Sequence, residues 1–316
     1  MPVGIVGTGI YLPEKVLTNA DIEKIVDTTD EWIRNRTGIQ ERRIISDDMA
    51  TSDIAVRAAK MALQNAGVSA GEVDLIMVAT ISPDMFFPAT ACLVQKDIGA
   101  WNAAAFDLSA GCTGFVYGLA VGSQFIKTGM YKTVLLVGAE SLSRSINWED
   151  RNTCVLFGDA AGAVVLRQVE DGFGILSVEL GADGSGHDLL KQAVQRTQAP
   201  GTEGNCRSAE NYLTMAGREV FKFAVKIVGE TALKAIESAG LQKNDIDCFI
   251  PHQANIRIID AAAKRLDLPK DKVFVNVQKY GNTSAASIPV ALHEAFLEGK
   301  IKKGEKVVLV GFGADR

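Results

Sequence analysis

The stretch AGVSAGEVDLIMVAT (residues 66–80) matches the stretch AGLQKNDIDCFIPHQ (residues 239–253) without a gap. Each copy has the pattern of a helix end, a short linker, an acidic residue and a buried strand. Downstream, AFDLSAGCTGF and YKTVLLVGAE in the first half parallel VFVNVQKYGNTSAA and GEKVVLVGFG in the second. This alignment pairs Cys112 with Asn282 and needs one three-residue insertion. The chain is therefore predicted to contain two copies of one unit.

Within each half, continuous apolar runs such as LIMVAT and TVLLVG alternate with helical stretches that end in glycine. Such strands are covered on both faces, which favours mostly parallel sheets between layers of helices. Gly114, Gly118 and Gly122 recur every four residues and give one smooth helix face, suited to close contact with another helix. We expect an α/β fold, a five-layered α/β/α/β/α sandwich whose halves, residues 1–172 and 173–316, stack through central helices. The polar segment 181–208 is the expected surface excursion.

The composition limits the functional class. The 316 residues are 47% hydrophobic and can bury a large core, and a net charge of −5 argues against a general nucleic-acid binder. No charged segment followed by an apolar run opens the sequence, so we expect a cytoplasmic protein. The longest uncharged run, residues 108–126, contains polar residues and glycines, which favours a buried core helix over a membrane span.

Five cysteines and three histidines show no spacing typical of a disulfide framework or a metal site. We therefore expect reduced thiols and no metal. Four of the cysteines are expected to be small buried side chains: Cys92, Cys154, Cys206 and Cys248.

Cys112 differs because glycines flank it where a strand is predicted to turn into a helix. A helix N-terminus offers N–H donors and a partial positive charge, which stabilise a thiolate and make the sulfur nucleophilic. Stacking of the two halves is expected to bring His252, which follows the repeated strand, and Asn282 to the same point. Each residue alone also fits a purely structural role: Cys112 as a buried thiol, His252 as a hydrogen-bonded core histidine and Asn282 as a helix cap. Their corresponding positions favour one catalytic site.

The motifs GCTGF, VLFGDAAGAV, GSGHDLL, PHQAN and YGNTSAAS together resemble the thiolase-like condensing enzymes, specifically the β-ketoacyl-acyl-carrier-protein synthase III family, along essentially the whole chain. The resemblance implies a catalytic triad of Cys112, His252 and Asn282. It implies condensation of a short-chain acyl-CoA, such as acetyl-CoA, with malonyl-acyl carrier protein, giving 3-ketoacyl-acyl carrier protein, CoA and CO2 at the start of fatty acid biosynthesis. It further implies a homodimer that uses CoA thioesters as substrates and no cofactor.

The same resemblance implies the surrounding contacts. The backbone N–H groups of Cys112 and Ala314 correspond to the oxyanion donors. The CoA contacts correspond to Thr28, Trp32, Arg36, Arg151, Phe221, Ala224 and Asn255. The acyl pocket corresponds to Leu142, Phe157, Leu189 and Phe87, which reaches across the dimer in the family. The carrier-protein contacts correspond to Lys222, Gln253, Arg257, Lys264 and Arg265.

The segment NIRIIDAAAKRLDL bears on the carrier-protein contacts, since an acidic enzyme needs a local basic patch to attract an acidic carrier. Its helical periodicity predicts a buried stripe of Ile256, Ile259, Ala263 and Leu266. Arg257 and Lys264 are then expected on one exposed face. The alternative is that this face of the helix is exposed to solvent and binds no partner.

Other interpretations stay open at this point. GIVGTGIYLP lacks the spacing of a dinucleotide-binding loop and is expected to form a strand and a turn. The family's chain usually continues after GFGA with a further strand, whereas this sequence has GFGADR, which bears on the Ala314 donor and on the second sheet. A condensing enzyme with another primer, a Cys-His hydrolase or thioesterase in which Asn282 orients the histidine, and a non-catalytic dimerisation partner remain alternatives.

Overall fold

The computed structural model describes residues 1–192 and 212–314. Its strands are β1 (Val3–Tyr11), β2 (Lys15–Thr18), β3 (Glu41–Ile44), β4 (Leu75–Ala79), β5 (Ala104–Leu108), β6 (Val134–Ser141), β7 (Asp159–Gln168), β8 (Leu190–Lys191), β9 (Thr214–Met215), β10 (Cys248–Pro251) and β11 (Val307–Val310). Its α-helices are α1 (Asn19–Ile22), α2 (Asp30–Thr37), α3 (Thr51–Ala66), α4 (Thr90–Ile98), α5 (Gly114–Lys127), α6 (Arg151–Cys154), α7 (Gly217–Ser238), α8 (Ile256–Arg265), α9 (Val277–Tyr280) and α10 (Ser287–Leu297).

The main sheet has the strand order β1-β7-β6-β4-β5. β4 is parallel to both β5 and β6, but β7 is antiparallel to both β6 and β1. The expectation of mostly parallel strands is therefore wrong for one side of this sheet. The chain between β6 and β7 returns at the same end of the sheet instead of crossing over, and helices still cover both faces. An apolar run indicates that a strand is buried on both faces, but it does not indicate whether the strand is parallel or antiparallel to its neighbours.

The layers follow the predicted order. α3 and α4 pack on one face of the main sheet around a core that includes Ile54, Val94, Ile76 and Val137. α5 and α10 cover the opposite face and separate it from the parallel pair β10 and β11. α7 and α8 close the outer face of that pair through Val228, Ile258, Phe249 and Val310. The five-layered α/β/α/β/α sandwich is confirmed.

The apolar run at residues 108–126 ends β5 and then forms most of α5, which lies in the central layer. A Cβ added at Gly118 would lie 2.4 Å from Leu136, and one added at Gly122 would lie 2.9 Å from Met77. The glycine spacing had suggested contact with a second helix. The glycine face packs instead on the strands of the main sheet. Within the described residues, no helix is long and apolar enough to cross a membrane.

The repeat keeps a constant offset of 173 positions wherever the two halves match. Gly67 and Gly240 end α3 and α7 in the left-handed conformation, with φ of 63° and 71°. The 3-10 turn Gly111–Thr113 precedes α5 as the turn Ser284–Ala286 precedes α10. No insertion is needed, so Cys112 corresponds to Ala285 and the predicted pairing with Asn282 is wrong by three residues. The similar triplets GCT and GNT caused the misalignment.

The second half has a smaller sheet in the described residues, where β10 pairs with β11 and Phe249 makes a bridge to Val273. A cavity of about 760 Å³ lies beside β11, bordered by residues 172–183, α5 and α7. In the first half, the corresponding place beside β6 is taken by β7. Over residues 1–192 and 212–314, the two halves therefore share a plan but differ in the extent of their sheets. The boundary at residue 172 stays a prediction, and residues 193–208 of the predicted excursion lie outside the described residues.

Candidate active site

Cys112 lies in the 3-10 turn that leads from β5 into α5. Gly111 has a φ of 49°, a left-handed conformation that favours glycine, and allows the sharp change of direction. The thiol is buried, with 6% of the residue exposed, and it lies just before the positive end of the α5 dipole. The predicted place at a helix N-terminus is confirmed.

The segment after β11 passes directly against this turn. A Cβ added at Gly313 would lie 2.9 Å from Cys112 Cβ and 3.0 Å from Cys112 N. A Cβ added at Gly311 would lie 3.1 Å from the Thr113 Cα atom. Only residues without side chains permit this approach, and the next residue, Ala314, therefore follows directly after the point of contact with the Cys112 turn.

His252 follows β10 and is buried. Its backbone N–H donates to the Val310 carbonyl at 2.7 Å, and its ring meets the Phe312 ring edge-on at 5.0 Å. Its Nδ1 atom lies 2.5 Å from the Ser287 hydroxyl. Burial lowers the pKa of the His252 imidazole to about 3, so the ring is neutral at pH 7.

The Ser287 hydroxyl is the hydrogen-bond partner of His252 Nδ1. Gln253 N–H donates to Ser287 Oγ at 3.3 Å, and we assign the Ser287 hydroxyl proton to the bond with Nδ1. The ring proton is therefore assigned to Nε2, which becomes a donor. Sequence reasoning missed Ser287, and a single serine at the start of an apolar helix gave no signal of this role.

Asn282 is held between α9 and the turn Ser284–Ala286. Its backbone N–H donates to Leu156 O at 2.8 Å, and its carbonyl accepts from Gly158 N–H at 3.0 Å. Its side-chain Oδ1 accepts from Ser284 N–H at 2.8 Å. Because the amide oxygen is engaged, the Nδ2 group is the end of Asn282 that is oriented to donate.

The three turns meet although they are distant in sequence. A Cβ added at Gly114 would lie 3.5 Å from the Ala285 Cβ, which joins the Cys112 turn to the Asn282 turn. Ser287, which begins α10, binds His252. Gly313 closes the set against Cys112. The site thus combines a buried thiol at a helix start, a neutral imidazole and an oriented amide.

The predicted CoA residues are close to one another on one side of the molecule. The Arg151 guanidinium lies 4.8 Å from the Trp32 ring centroid, and the Arg36 guanidinium lies 5.9 Å from it. Asn255 Nδ2 donates to the Arg36 carbonyl at 3.0 Å. These contacts join an arginine-flanked aromatic face to the start of α8.

The other predicted CoA residues, Phe221, Thr28 and Ala224, differ in position and in exposure. Phe221 lies on α7 under the Arg257 guanidinium, 4.8 Å from the ring centroid. The Thr28 hydroxyl is buried and has no hydrogen-bond partner among the residues that the structure describes. Ala224 is fully buried on α7, in the core beneath the surface, so in this structure it is not open to a ligand.

The predicted acyl-pocket residues lie in three places. Leu142 and Phe157 are buried in one apolar cluster, and Phe157 forms a backbone bridge with Asn282. Leu189 lines a small cavity next to Gly313 and Ala314. Phe87 lies in an exposed loop with 85% of its surface accessible. Phe157 and Leu189 therefore lie beside the segments that form the candidate site, and Leu142 shares the apolar cluster of Phe157.

The predicted carrier-protein residues include one clear error. Gln253 is 1% exposed, its Nε2 donates to Pro251 O, and its Oε1 accepts from Asn276 N–H. It cannot touch a carrier protein, because a residue after a buried strand remains in the core. Lys222 contacts Glu219 at 3.1 Å, and Arg265 contacts Glu230 at 2.9 Å.

The exposed face of α8 carries Arg257 and Lys264, as predicted. Its buried stripe is Ile258, Ile259, Ala262 and Leu266. The predicted stripe was wrong at Ile256 and Ala263, which are half-buried. Both lie at the edge of the stripe, where periodicity alone is least decisive.

Cys154 and Cys248 are buried, as predicted, whereas Cys92 is not fully buried. Burial raises the pKa of the Cys154 thiol and of the Cys248 thiol to about 11 in each case, which disfavours their reactive thiolate forms. Cys92 is half-buried, and Cys206 lies outside the described residues.

Two family models match this chain. The 3-oxoacyl-[acyl-carrier-protein] synthase III model matches residues 106–184, and the model of its C-terminal region matches residues 236–315. The β-ketoacyl-[acyl-carrier-protein] synthase III of Caldanaerobacter subterraneus subsp. tengcongensis is 56% identical, over 98% of this chain and 94% of the relative. The chain belongs to the β-ketoacyl-acyl-carrier-protein synthase III family.

Solved structures agree with this family membership. The synthase III of Thermus thermophilus is 50% identical, with a TM-score of 0.92 over 99% of this chain and 96% of that chain. The priming β-ketosynthase of the R1128 polyketide biosynthetic pathway is 34% identical, with a TM-score of 0.91 over 99% and 93%. The fold is thus the thiolase-like fold of condensing enzymes.

Proposed function

We propose that this protein condenses a short-chain acyl-CoA, such as acetyl-CoA, with malonyl-acyl carrier protein and so initiates fatty acid biosynthesis. The observation that carries the proposal is the meeting of the Cys112, His252 and Asn282 turns in one buried place. Membership of the synthase III family supports the same reaction. The products are 3-ketoacyl-acyl carrier protein, CoA and CO2.

The first half-reaction transfers the acyl group to the protein. The Cys112 thiolate attacks the thioester carbon of acyl-CoA, a carbon–sulfur bond to the enzyme forms, and the CoA thiolate leaves. The backbone N–H groups of Cys112 and Ala314 are the proposed donors to the oxyanion. The close approach of Gly313 to Cys112 supports this pair.

The second half-reaction uses the two side-chain donors. Nε2–H of His252 and Nδ2–H of Asn282 donate to the thioester oxygen of the malonyl group, and its carbon–carboxylate bond breaks to release CO2. The resulting enolate carbon attacks the acyl carbonyl, and the Cys112 sulfur leaves. A neutral imidazole suits this role, because it donates a hydrogen bond without a fixed positive charge.

The substrate route follows the aromatic and basic surface. Trp32 and Arg151 are proposed to bracket the CoA adenine, with Arg36, Asn255 and Phe221 along the route. The unpartnered Thr28 hydroxyl is proposed to bind the ligand there. The carrier protein is proposed to contact the basic side chains of Lys222, Arg257, Lys264 and Arg265.

Further assignments rest on weaker support. Leu142, Phe157 and Leu189 are proposed to shape the acyl pocket, since Phe157 and Leu189 lie beside the segments that form the candidate site and Leu142 shares the apolar cluster of Phe157. The exposed Phe87 is proposed to reach the partner in a homodimer. The constant repeat offset supports two halves that divide near residue 172. A cytoplasmic enzyme that uses CoA thioesters without a cofactor completes the proposal.

A second candidate has the same triad with another primer. It is supported by the R1128 priming β-ketosynthase, which shares fold and 34% identity. The hydrolase alternative has less support, because it needs Asn282 to orient the histidine, whereas Ser287 is the residue at Nδ1 of His252.

The deciding experiment combines purified protein, a panel of acyl-CoA primers and malonyl-acyl carrier protein, with products followed by mass. We expect a 3-ketoacyl product and CO2, with acetyl-CoA among the preferred primers. Preference for aryl or branched primers would favour the second candidate. Free acid without CO2 would favour a hydrolase, and failure of acetyl-CoA to label Cys112 would favour a non-catalytic protein.

A further inference from the structure

Glu140 is a fully buried carboxylate near the end of β6 that the proposed chemistry does not use. It accepts hydrogen bonds from the Ser82 hydroxyl at 2.6 Å, the Thr80 hydroxyl at 3.2 Å and Ile81 N–H at 3.2 Å. Burial nevertheless raises the pKa of the Glu140 carboxyl to about 7. Burying a carboxylate costs free energy, because the charge loses its hydration, so a role for Glu140 at this position is expected.

The end of β6 lies against the turn that follows Asn282. A Cβ added at Gly138, two residues before Glu140, would lie 2.3 Å from the Ala285 carbonyl oxygen. The Ser284 hydroxyl lowers the pKa of the Glu140 carboxyl, so the two groups are neighbours. The donor set after β4 and the Asn282 turn therefore meet at one carboxylate.

Ser284 has two unusual properties. Its φ is 49°, a left-handed conformation that strains a residue with a side chain. Its hydroxyl is buried and has no hydrogen bond of normal geometry to a described residue, and the Glu140 carboxyl is the polar group beside it. A small rotation about the Cα–Cβ bond would let this buried donor reach a Glu140 carboxyl oxygen as its acceptor.

The conformation of Ser284 matters because its backbone N–H holds the Asn282 side chain. That N–H donates to Asn282 Oδ1 at 2.8 Å, and this bond decides which end of the amide can donate. A change in the Ser284 backbone would turn or release the amide. Strained residues at functional turns persist only where their surroundings hold them.

We propose that Glu140 is a positioning residue whose carboxylate receives the Ser284 hydroxyl and so fixes the turn that aims the Asn282 amide. The effect on rate rests on the proposed condensation, but the effect on the turn does not. Glu140 touches neither substrate nor Cys112 in this assignment. It acts only on the half-reaction that needs the Asn282 donor.

The first test separates the half-reactions in Glu140→Gln and Glu140→Ala. Acylation of Cys112 by acetyl-CoA should stay within about twofold of wild type. The kcat for decarboxylative condensation should fall by about 10²-fold in Glu140→Ala, as expected for a misplaced donor, with KM little changed. Glu140→Gln keeps a neutral acceptor and should retain more activity. Equal losses in both half-reactions would overturn the proposal.

Thr80→Val is the matched control, because it removes a donor to the same carboxylate from the other side. We expect it to keep the ratio of the two half-reaction rates. If Thr80→Val copies the Glu140 variants, Glu140 serves the turn after β4 and the proposal is wrong.

A double-mutant cycle tests the route through the hydroxyl. Ser284→Ala should lower condensation by itself, and adding Glu140→Gln to it should change the rate by no more than about twofold. Multiplicative losses in the double variant would show that the carboxylate does not act through Ser284.

The last readout does not depend on catalysis. Hydrogen exchange of the Ser284 backbone amide should accelerate in Glu140→Ala and Glu140→Gln but not in Thr80→Val. Unchanged exchange at Ser284 overturns the proposal. If wild-type protein neither acylates nor condenses, the proposed function fails, and the exchange experiment still decides the role of Glu140.

Discussion

The same contact occurs twice in this molecule with different chemistry. At the start of α5, Gly114 faces Ala79 at the end of β4, and an added Cβ would lie 3.1 Å from the Ala79 Cβ. In the second copy, 173 positions later, Ser287 corresponds to Gly114 and His252 corresponds to Ala79. Ser287 and His252 are joined by a hydrogen bond. One copy of the contact is small, apolar and closed, and the other orients a proton donor. The duplication supplies the architecture, and substitutions at two positions supply the function.

A second pair shows the reverse arrangement. Cys112 corresponds to Ala285, and Glu140 corresponds to Gly313. Gly313 lies against the Cys112 turn, and the end of β6 that carries Glu140 lies against the Ala285 turn. Each half therefore places a compact residue where the other half has a functional one. The two copies are complementary parts of one site.

The largest expected effect concerns the position that only the first copy fills with a nucleophile. Cys112→Ala should abolish acyl transfer, a loss of about 10⁴-fold or more, because it removes the sulfur that is proposed to carry the acyl group. The fold should persist, since the side chain is small. Acyl-CoA turnover and circular dichroism check this, with Cys92→Ala as the thiol control. Substantial acyl transfer by Cys112→Ala would remove the asymmetry between the copies.

Asn282→Ala should have the next largest effect. It removes one donor to the malonyl thioester, so condensation should fall by about 10²- to 10³-fold while Cys112 is still acylated. Mass measurement of the acyl-enzyme and of released CO2 separates the two steps. Parallel losses in acylation and condensation would contradict the division of roles between the two halves.

Gly313→Ala tests the close approach between the halves. The new methyl group would lie 2.9 Å from Cys112 Cβ, so the chain after β11 must move away from the nucleophile. We expect acylation to fall by about 10²-fold with the fold retained. Gly71→Ala is the matched control, because no atom lies within 4 Å of its added Cβ. Equal acylation rates for both variants would show that the approach has no role.

The smallest expected effect concerns stability against pH. An unfolded histidine takes up a proton below its ordinary pKa of 6.5, whereas folded His252 stays neutral down to about pH 3. The unfolded state therefore binds more protons in this window, and the free energy of unfolding falls as pH drops from 6.5 toward 3. His252→Gln should reduce that slope in denaturant titrations. Buried His293, whose pKa is also lowered, should contribute to the remaining slope.

The sequence predicted the layers, the duplication and the meeting of the Cys112, His252 and Asn282 turns, because these features rest on local pattern and motif. Apolar runs and glycine stops marked the elements, and the motifs around Cys112, His252 and Asn282 marked the turns. The strand direction beside β7 was not predictable, because burial on both faces looks the same in either direction. The alignment of the two halves was wrong by three residues, because the similar triplets GCT and GNT lie at different structural positions.

Contacts between distant segments account for what the sequence missed. Gln253 was placed on a surface because it adjoins His252 in sequence, yet its side chain binds the backbone of Pro251 and Asn276. Ser287 and Glu140 gave no local signal, since their roles depend on groups that are distant in sequence and that folding brings together. A single sequence records which side chains are present and not which ones meet.

The Ser287–His252 contact has a consequence for turnover. Because the imidazole enters each cycle uncharged and with its donor already on Nε2, no protonation step is needed to reset the site between substrates. The hydrogen bond that His252 donates should then survive moderate acidification of its surroundings.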